Sequence, residues 1–255
     1  MLIVGASSGI GREIAIQALR GGATVALAAR RAQLLESTVA SAANLETSQN
    51  SETSQDILLH SKIFTTDVAD EQSCLRLVSD ASAWMESFGG LNTVVYAAGT
   101  TPLGSIVDTT AQDWHYVFAT NVIGASSVIK AALPHLRHSQ DCVGTIALLS
   151  SHSVGNPWPY LVPYAASKAA LNELASGIRC EEPDIRVLKV VVGPTVTPFA
   201  DAWDPDQASS ALNRWADSGF LHHQVLDADE TAKRILNALN DDSLDEVMVI
   251  GSDSP

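Results

Sequence analysis

Leu2-Ile3-Val4-Gly5-Ala6-Ser7-Ser8-Gly9-Ile10-Gly11 is the stretch on which the fold turns. Three aliphatic residues run straight into a loop with glycine at 5, 9 and 11, and a helical pattern opens before the loop has ended. Glycines so placed permit a tight turn and let an anion approach the backbone, where N–H groups and the positive end of the following helix receive its charge. A strand, such a loop and a helix in that order form the context of a dinucleotide fingerprint. Alone, the cluster also fits an ordinary strand-to-helix turn, so its meaning depends on the rest of the chain.

Working outward, short runs rich in Val, Ile, Leu and Thr alternate with longer helical patterns. Strands are expected at residues 2–4, 24–28, 62–66, 93–96, 144–149, 186–192 and 247–250, and helices at about 11–20, 31–42, 71–88, 113–135, 164–180 and 229–240. That rhythm is the signature of a doubly wound α/β fold, a parallel sheet of about seven strands with helices on both faces. No composition break marks a second domain, so residues 1–255 are read as one domain. Two segments interrupt the rhythm. Residues 46–56 are polar, lack a hydrophobic period and read as a mobile surface insertion. Residues 199–224 set Phe199, Trp203, Trp215 and Phe220 among acids and small residues, which suits a substrate flap. A first strand of three residues is short for a sheet centre, where about five or six is usual, so the strand is expected to be truncated or the true start to lie upstream.

The chain carries 15 Lys and Arg against 29 Asp and Glu, a net charge of −14, with 46% hydrophobic and 17% charged residues. This composition fits a chain that buries a core and excludes a charged disordered polymer. Its charge repels a phosphate backbone at long range, so nucleic acid is not an expected partner. Residues 180–255 hold −10 of the −14, and an anionic ligand should favour the N-terminal part. Cys74, Cys142 and Cys180 are odd in number and outside any Cys-x-x-Cys spacing, which reads as buried thiols in a reducing compartment. With no apolar run of about 18 residues and no leader pattern, the chain is read as cytoplasmic, without a membrane.

The loop spacing is Gly-x-x-x-Gly-x-Gly, and with it the sequence resembles the classical short-chain dehydrogenase/reductase family, whose Rossmann-like fold the alternation matches. The resemblance implies that Gly5, Ser7, Ser8, Gly9, Ile10 and Gly11 cradle a pyrophosphate. About 20 residues past such a loop an acidic side chain would bind the ribose hydroxyls of NAD. Here the second strand ends in Ala28-Ala29-Arg30-Arg31, with no carboxylate and two guanidiniums suited to a 2′-phosphate. Positive charge is also unfavourable at a helix start and so invites a ligand. The expected cofactor is NADP(H) in preference to NAD(H). Asp67-Val68 falls where the family contacts the adenine ring, although Asp67 equally suits a cap for the helix near Glu71. Tyr96-Ala97-Ala98-Gly99 stands where the family usually has Asn-Asn-Ala-Gly; Ala98 and Gly99 fit the cofactor site, and Tyr96 and Ala97 depart, which puts local rigidity in question.

Tyr164 and Lys168 are four residues apart and share one helix face. A phenol with an ordinary pKa of about 10 is a poor base at neutral pH, and a nearby ammonium favours the phenolate and brings that pKa toward working range. Ser151, thirteen residues upstream at a strand end, can donate to an oxygen on which charge develops. Ser150 and Ser153 are the alternatives. Asn121 interrupts a helical pattern that an amide does not favour. Asn121, Ser151, Tyr164 and Lys168 occur in family order and spacing, and the resemblance assigns them, respectively, a water-holding relay, orientation of the carbonyl, proton transfer, and contact to the nicotinamide ribose. Val192 stands where the family has Pro, while Gly193, Thr195 and Thr197 keep the pattern that lines the nicotinamide side. The likeness spans about residues 2–250.

His135-x-x-His138 and His222-His223 lack a carboxylate at a matching offset, so no metal is expected. Trp158, Tyr160, Phe199, Trp203, Trp215 and Phe220 bracket Tyr164 and suit either an apolar pocket or lid and subunit packing. The expected activity is NADP(H)-dependent interconversion of a small-molecule carbonyl and a secondary alcohol. A homodimer or homotetramer through the helices at 113–137 and 164–180 is implied by the resemblance. The rival is a catalytically impaired dinucleotide-binding regulatory protein of the same fold, motivated by Tyr96, Ala97, Val192 and the short first strand.

Overall fold

A computed structural model describes residues 1–43, 51–136, 143–156, 158–201, 203–220 and 224–252. In chain order the elements are β1 (Leu2–Val4), α1 (Gly9–Arg20), β2 (Val25–Ala29), α2 (Ala32–Ala43), α3 (Ser51–Leu59), β3 (Ser61–Thr65), α4 (Glu71–Met85), β4 (Thr93–Tyr96) and α5 (Ala111–Phe118). A π-helical turn (Ala119–Ile123) leads into α6 (Gly124–Leu136), followed by β5 (Thr145–Ser151), α7 (Val162–Glu181), β6 (Arg186–Val192), β7 (Thr195–Val196), α8 (Pro205–Asp217), β8 (Leu226–Asp227), α9 (Ala228–Leu239) and β9 (Glu246–Val249).

Seven parallel strands form the sheet in the order β3-β2-β1-β4-β5-β6-β9. Side chains alternate across it with period two. Leu2 and Val4 face a layer with Val94, Tyr96, Ile146 and Leu148, covered by α4, α6 and α7. Ile3 faces the other, with Leu27, Val95, Ala147 and Leu149, covered by α1, α2 and α9. Strands buried on both faces explain why the sequence reads as apolar runs rather than as alternation. The chain winds from β1 out to β3, then returns to β4 beside β1. This reversal opens a crevice at the carboxyl ends of β1 and β4, where the Gly5–Gly11 loop and Ala97–Gly99 lie.

Four expectations change. Residues 51–56, expected within a mobile insertion, belong to α3, because Ile57 is buried in the second layer and Ser54 Oγ donates to Ala43 O at 3.0 Å; residues 46–50 lie outside the described residues. The unbroken helix expected over 113–135 is divided by the π turn that contains Asn121. The segment over 199–224 holds a helix, α8, started by Asp204, which accepts from Asp206 N and Gln207 N, with Pro205 at its first position. Of the cysteines expected to be buried, Cys74 is and Cys180 is exposed, while Cys142 lies outside the described residues. The run Ala111–Leu136 is long and apolar enough to cross a membrane, and its apolar stripe (Val128, Ile129, Ala132, Leu136) is spent on the sheet.

Candidate active site

The glycine loop is held by its neighbours in the sheet. Gly5 N and Ala6 N both donate to Ala28 O, Ala97 N donates to Val4 O, and Thr38 Oγ1 donates to Ala6 O. Gly5 has φ +93° and a Cβ there would stand 2.6 Å from Ala98 N; one on Gly11 would stand 2.4 Å from Gly5 O. Only glycine allows that fold-back. Ser8 caps α1 with extended backbone and no side-chain bond, and the first turn of α1 carries no acid. The positive helix end is therefore open toward the cleft, ready for an anion.

A cleft of ≈ 550 Å³ runs from this loop along the sheet edge, lined by Arg30, Arg31, Asp67 and Val68 at one end and by Tyr164, Phe199 and Trp203 at the other. Arg30 and Arg31 are exposed, and among the described residues neither forms an ion pair with a carboxylate. Arg31 Nη2 donates to Ser8 Oγ at 3.4 Å. The Thr100 hydroxyl, and to a lesser degree the Arg30 guanidinium, lie by the Tyr116 hydroxyl and hold its phenol below the ordinary range, against the opposing effect of partial burial. Tyr116 thus stands close to Arg30, a proximity that nothing in the local sequence signals. Asp67 does not cap α4. Its carboxylate accepts from Ala69 N at 3.0 Å, and Asp70 is the cap.

Ala98 and Gly99 floor the cleft; a Cβ on Gly99 would lie 3.6 Å from Lys168 Nζ and 3.7 Å from Asn121 Oδ1. On the far wall a Cβ on Gly9 would meet the Thr197 side chain at 3.2 Å, so Thr197 roofs the glycine loop. Thr195 Oγ1 donates to Gly193 O at 3.1 Å, and both residues line the cleft. The structure therefore brings the N-terminal loop and the stretch after β6 face to face across almost two hundred residues of chain.

Tyr164 projects from the first turn of α7. The turn before it contains Tyr160 at φ +68°, the one non-glycine residue in left-handed backbone among those described. Ser151, at the end of β5, lies beside the Tyr164 hydroxyl, where it favours the ionised phenol, and accepts from Ser153 N and Ser153 Oγ at 3.1 and 3.0 Å. Ser150 is buried and its hydroxyl has no hydrogen-bond partner among the described residues, and Ser153 donates to Ser151. Lys168 is 4% exposed and donates from Nζ to Leu149 O at 2.6 Å. Burial pushes the Tyr164 phenol up to about 12, opposed by Ser151, and pushes the Lys168 ammonium down to about 8. The expectation that the ammonium would pull the phenol down is thus reversed in the free protein. Nζ sits 5.6 Å from the ring centroid and is engaged by Leu149, so loss of water dominates both groups.

Asn121 is fully buried, which rules out an exposed helix-surface amide. Its Oδ1 accepts from Thr100 N at 2.8 Å, and its Nδ2 donates to Thr100 O at 3.0 Å and Ser167 Oγ at 2.9 Å. The π turn that carries it is secured by Tyr96, whose hydroxyl donates to Thr120 O at 2.6 Å. Gly124 makes room for that phenol; a Cβ there would stand 2.7 Å from Tyr96 Oη. The departure from asparagine at 96 therefore supplies a brace of another kind beneath the site. Ala97, the other departure, is small where Gly11 approaches: a Cβ on Gly11 would lie 3.1 Å from the Ala97 Cβ.

Residues 1–208 match the family model described as short chain dehydrogenase. The chain is 33% identical over 199 residues to the 11-beta-hydroxysteroid dehydrogenase-like 3 of Arabidopsis thaliana, a match covering 77% of this chain and 59% of that protein. It is 32% identical over 204 residues to 11-beta-hydroxysteroid dehydrogenase A of Sesamum indicum, covering 76% and 51%. The chain spans a little over half the length of these curated relatives. Among solved structures, the alcohol dehydrogenase from the archaeon Thermococcus sibiricus complexed with 5-hydroxy-NADP superposes with a TM-score of 0.78 at 23% identity, covering 100% of this chain and 97% of that one. At that identity the likeness is one of fold.

Proposed function

The chain belongs to the short-chain dehydrogenase family, and from that premise we propose that it is an NADP(H)-dependent oxidoreductase interconverting a carbonyl and a secondary alcohol by hydride transfer. The observation that carries this reading is the junction of two things in one cleft: a glycine loop with two arginines that, among the described residues, face no carboxylate, and a half-buried Tyr164 set beside Ser151 and Lys168. The loop and the open end of α1 suit a pyrophosphate, and Arg30 and Arg31 suit a further phosphate. When bound, the nicotinamide cofactor supplies or receives the hydride.

The chain's own part is to orient the oxygen and to manage one proton. Ser151 donates a hydrogen bond to the carbonyl oxygen, and the Tyr164 hydroxyl gives its proton to that oxygen as it gains negative charge. A phenol held up to about 12 keeps its proton at neutral pH, which suits the reducing direction. Lys168, with Asn121 close behind Gly99, lies where it can reprotonate the phenolate and contact the cofactor ribose. We also propose a homodimer or homotetramer through α5–α6 and α7, whose exposed apolar side chains include Tyr116, Ile123 and Val162; light scattering checks this.

The test is reduction of neutral ketones by NADPH, comparing wild type with Tyr164→Phe. The variant is expected to lose about 10²–10⁴-fold in kcat/KM while still binding NADPH. Equal rates in both proteins overturn the assignment, and NADPH binding without any turnover favours the regulatory rival.

A further inference from the structure

We propose that the substrate end of the cleft is an aromatic cage for a neutral, flat-ringed ketone or its alcohol, and that it rejects anionic carbonyl compounds. The proposal rests on the oxidoreductase reading above and names the substrate class of that same site.

The catalytic ring is itself the first member of the cage. Tyr164 and Phe199 have centroids 5.4 Å apart at 59°, Phe199 and Trp203 lie 6.0 Å apart at 73°, and Trp203 and Trp215 lie 6.3 Å apart at 72°. Trp158 continues the series edge-on to Trp215 at 5.2 Å. All five line the cleft. Edge-to-face rings present both positive edges and negative faces, the arrangement that a further aromatic ring completes. The indole N–H groups of Trp203 and Trp215 are bound to backbone, donating to Thr101 O at 3.1 Å and Pro159 O at 2.9 Å. These tethers fix the rings before any substrate arrives and leave them to offer it hydrocarbon surface.

The charge distribution supplies an independent argument. Among the described residues, Arg30, Arg31 and Asp67 line the cleft at the opposite end, and no Asp, Glu, Lys or Arg lines the aromatic end beyond Lys168, which is engaged by Leu149 O beneath the site. Polar groups at this end are Ser151, His152 and Ser153, beside the reacting oxygen, and the Trp158 indole N–H, buried without a hydrogen-bond partner among the described residues. A carboxylate or phosphate on the substrate would be buried without a counter-charge, and a sugar would leave most of its hydroxyls without partners. Outside, Asp201, Asp204, Asp206 and Asp217 are exposed on the flap and repel an approaching anion. Phe199, Leu212 and Val225 line the cleft and are exposed, which gives a rigid apolar body a way in.

The experiment uses the full chain with NADPH and three ketones: α-tetralone, the same bicycle bearing a carboxylate on its aromatic ring, and cyclohexanone. We expect kcat/KM for α-tetralone to exceed that for the carboxylate by about 100-fold or more. In Phe199→Leu, an exposed position where folding is not at stake, the ratio of α-tetralone to cyclohexanone should fall by about 2–12-fold. Comparable turnover of neutral and carboxylated bicycles, or an unchanged ratio in Phe199→Leu, overturns the cage. Calorimetric titration of the NADPH complex with both bicycles reads the same preference without chemistry. Neutral-selective binding with no turnover keeps the cage and sinks the reaction, turnover without ring preference does the reverse, and no binding of α-tetralone overturns the cage.

Discussion

At its Arg30 end the cleft is made of backbone, and at its Trp203 end it is made of side chains. The first is a single stretch, Gly5–Gly11, clamped by main-chain bonds to β2 and packed against Ala97 and Ala98, with contacts too close for any side chain. The second gathers Trp158, Tyr164, Phe199, Trp203 and Trp215 from three separate segments, and its internal ties are ring contacts and two indole bonds. Backbone geometry of the first kind tolerates almost no change and fits one invariant chemical group. A wall of rings can be altered residue by residue without touching the sheet, so the same fold can hold one cofactor and many substrates.

The sharpest way to break this contrast is at the arginines. If the Arg30 end recognises the extra phosphate of NADP, replacing Arg30 and Arg31 by Ala removes charge-assisted bonds of about 1.5–3 kcal/mol. NADPH affinity should then drop about 10–100-fold, with NADH nearly unchanged, in a titration that follows tryptophan fluorescence. Equal losses for both nucleotides would mean that these residues hold the loop and not the phosphate. Tyr116→Phe, which removes the hydroxyl close to Arg30, should reproduce a small part of the same selective loss.

The two ends also differ in how far they can be read from sequence. The glycine loop, the arginine pair and the Tyr164–Lys168 spacing are local: each is a contiguous motif or a fixed helical offset, so the order of residues already states the geometry. The succession of strands along the chain follows for the same reason, since each is an apolar run between helical patterns, while their order in the sheet does not. Tertiary partners do not announce themselves in this way. The bond from Tyr96 to Thr120 joins positions 24 residues apart, and it meets the long helix at the π turn that divides it. Ile57, just past a polar stretch, decides that α3 forms. One missed element carried a readable signal: Asp204-Pro205 is a helix start, and it foretells α8 in the flap.

Tyr96 lies beneath the meeting point of the two ends, and Tyr96→Phe tests whether its hydroxyl is a brace. Removing it keeps the ring and leaves the Thr120 carbonyl without that donor, at a cost of about 1–3 kcal/mol, or very roughly 2–6 °C in Tm for a chain of this size. Loss of the brace should also loosen Asn121 and lower kcat several-fold while KM for NADPH holds. Lower stability with kcat untouched would confine Tyr96 to the core.

The smallest effect concerns Lys168, which belongs to both ends, since it is set beside the Tyr164 phenol and buried below Gly99. Its pKa falls from 10.5 to about 8 because burial strips the ammonium of water. The native protein therefore releases this proton first, and between pH about 8 and 10.5 the unfolded chain holds one more proton. Stability must rise with pH across that window, by about 1.4 kcal/mol per unit, and the gain is lost as pH falls through 8. Tyr164 is raised from 10.0 to about 12, so its opposite contribution begins above pH 10. Cys74, raised from 9.0 to about 11, chiefly by burial, opposes Lys168 above pH 9. Both cancel when wild type is compared with Lys168→Met. From pH 8 to 9 the wild type should gain about 1 kcal/mol on that variant in urea unfolding. Parallel curves would mean that the ammonium is satisfied in the free protein. A gain of the expected sign means that the fold carries an underpaired cation at the boundary of its two halves, at a cost in stability that an anionic cofactor would offset on binding.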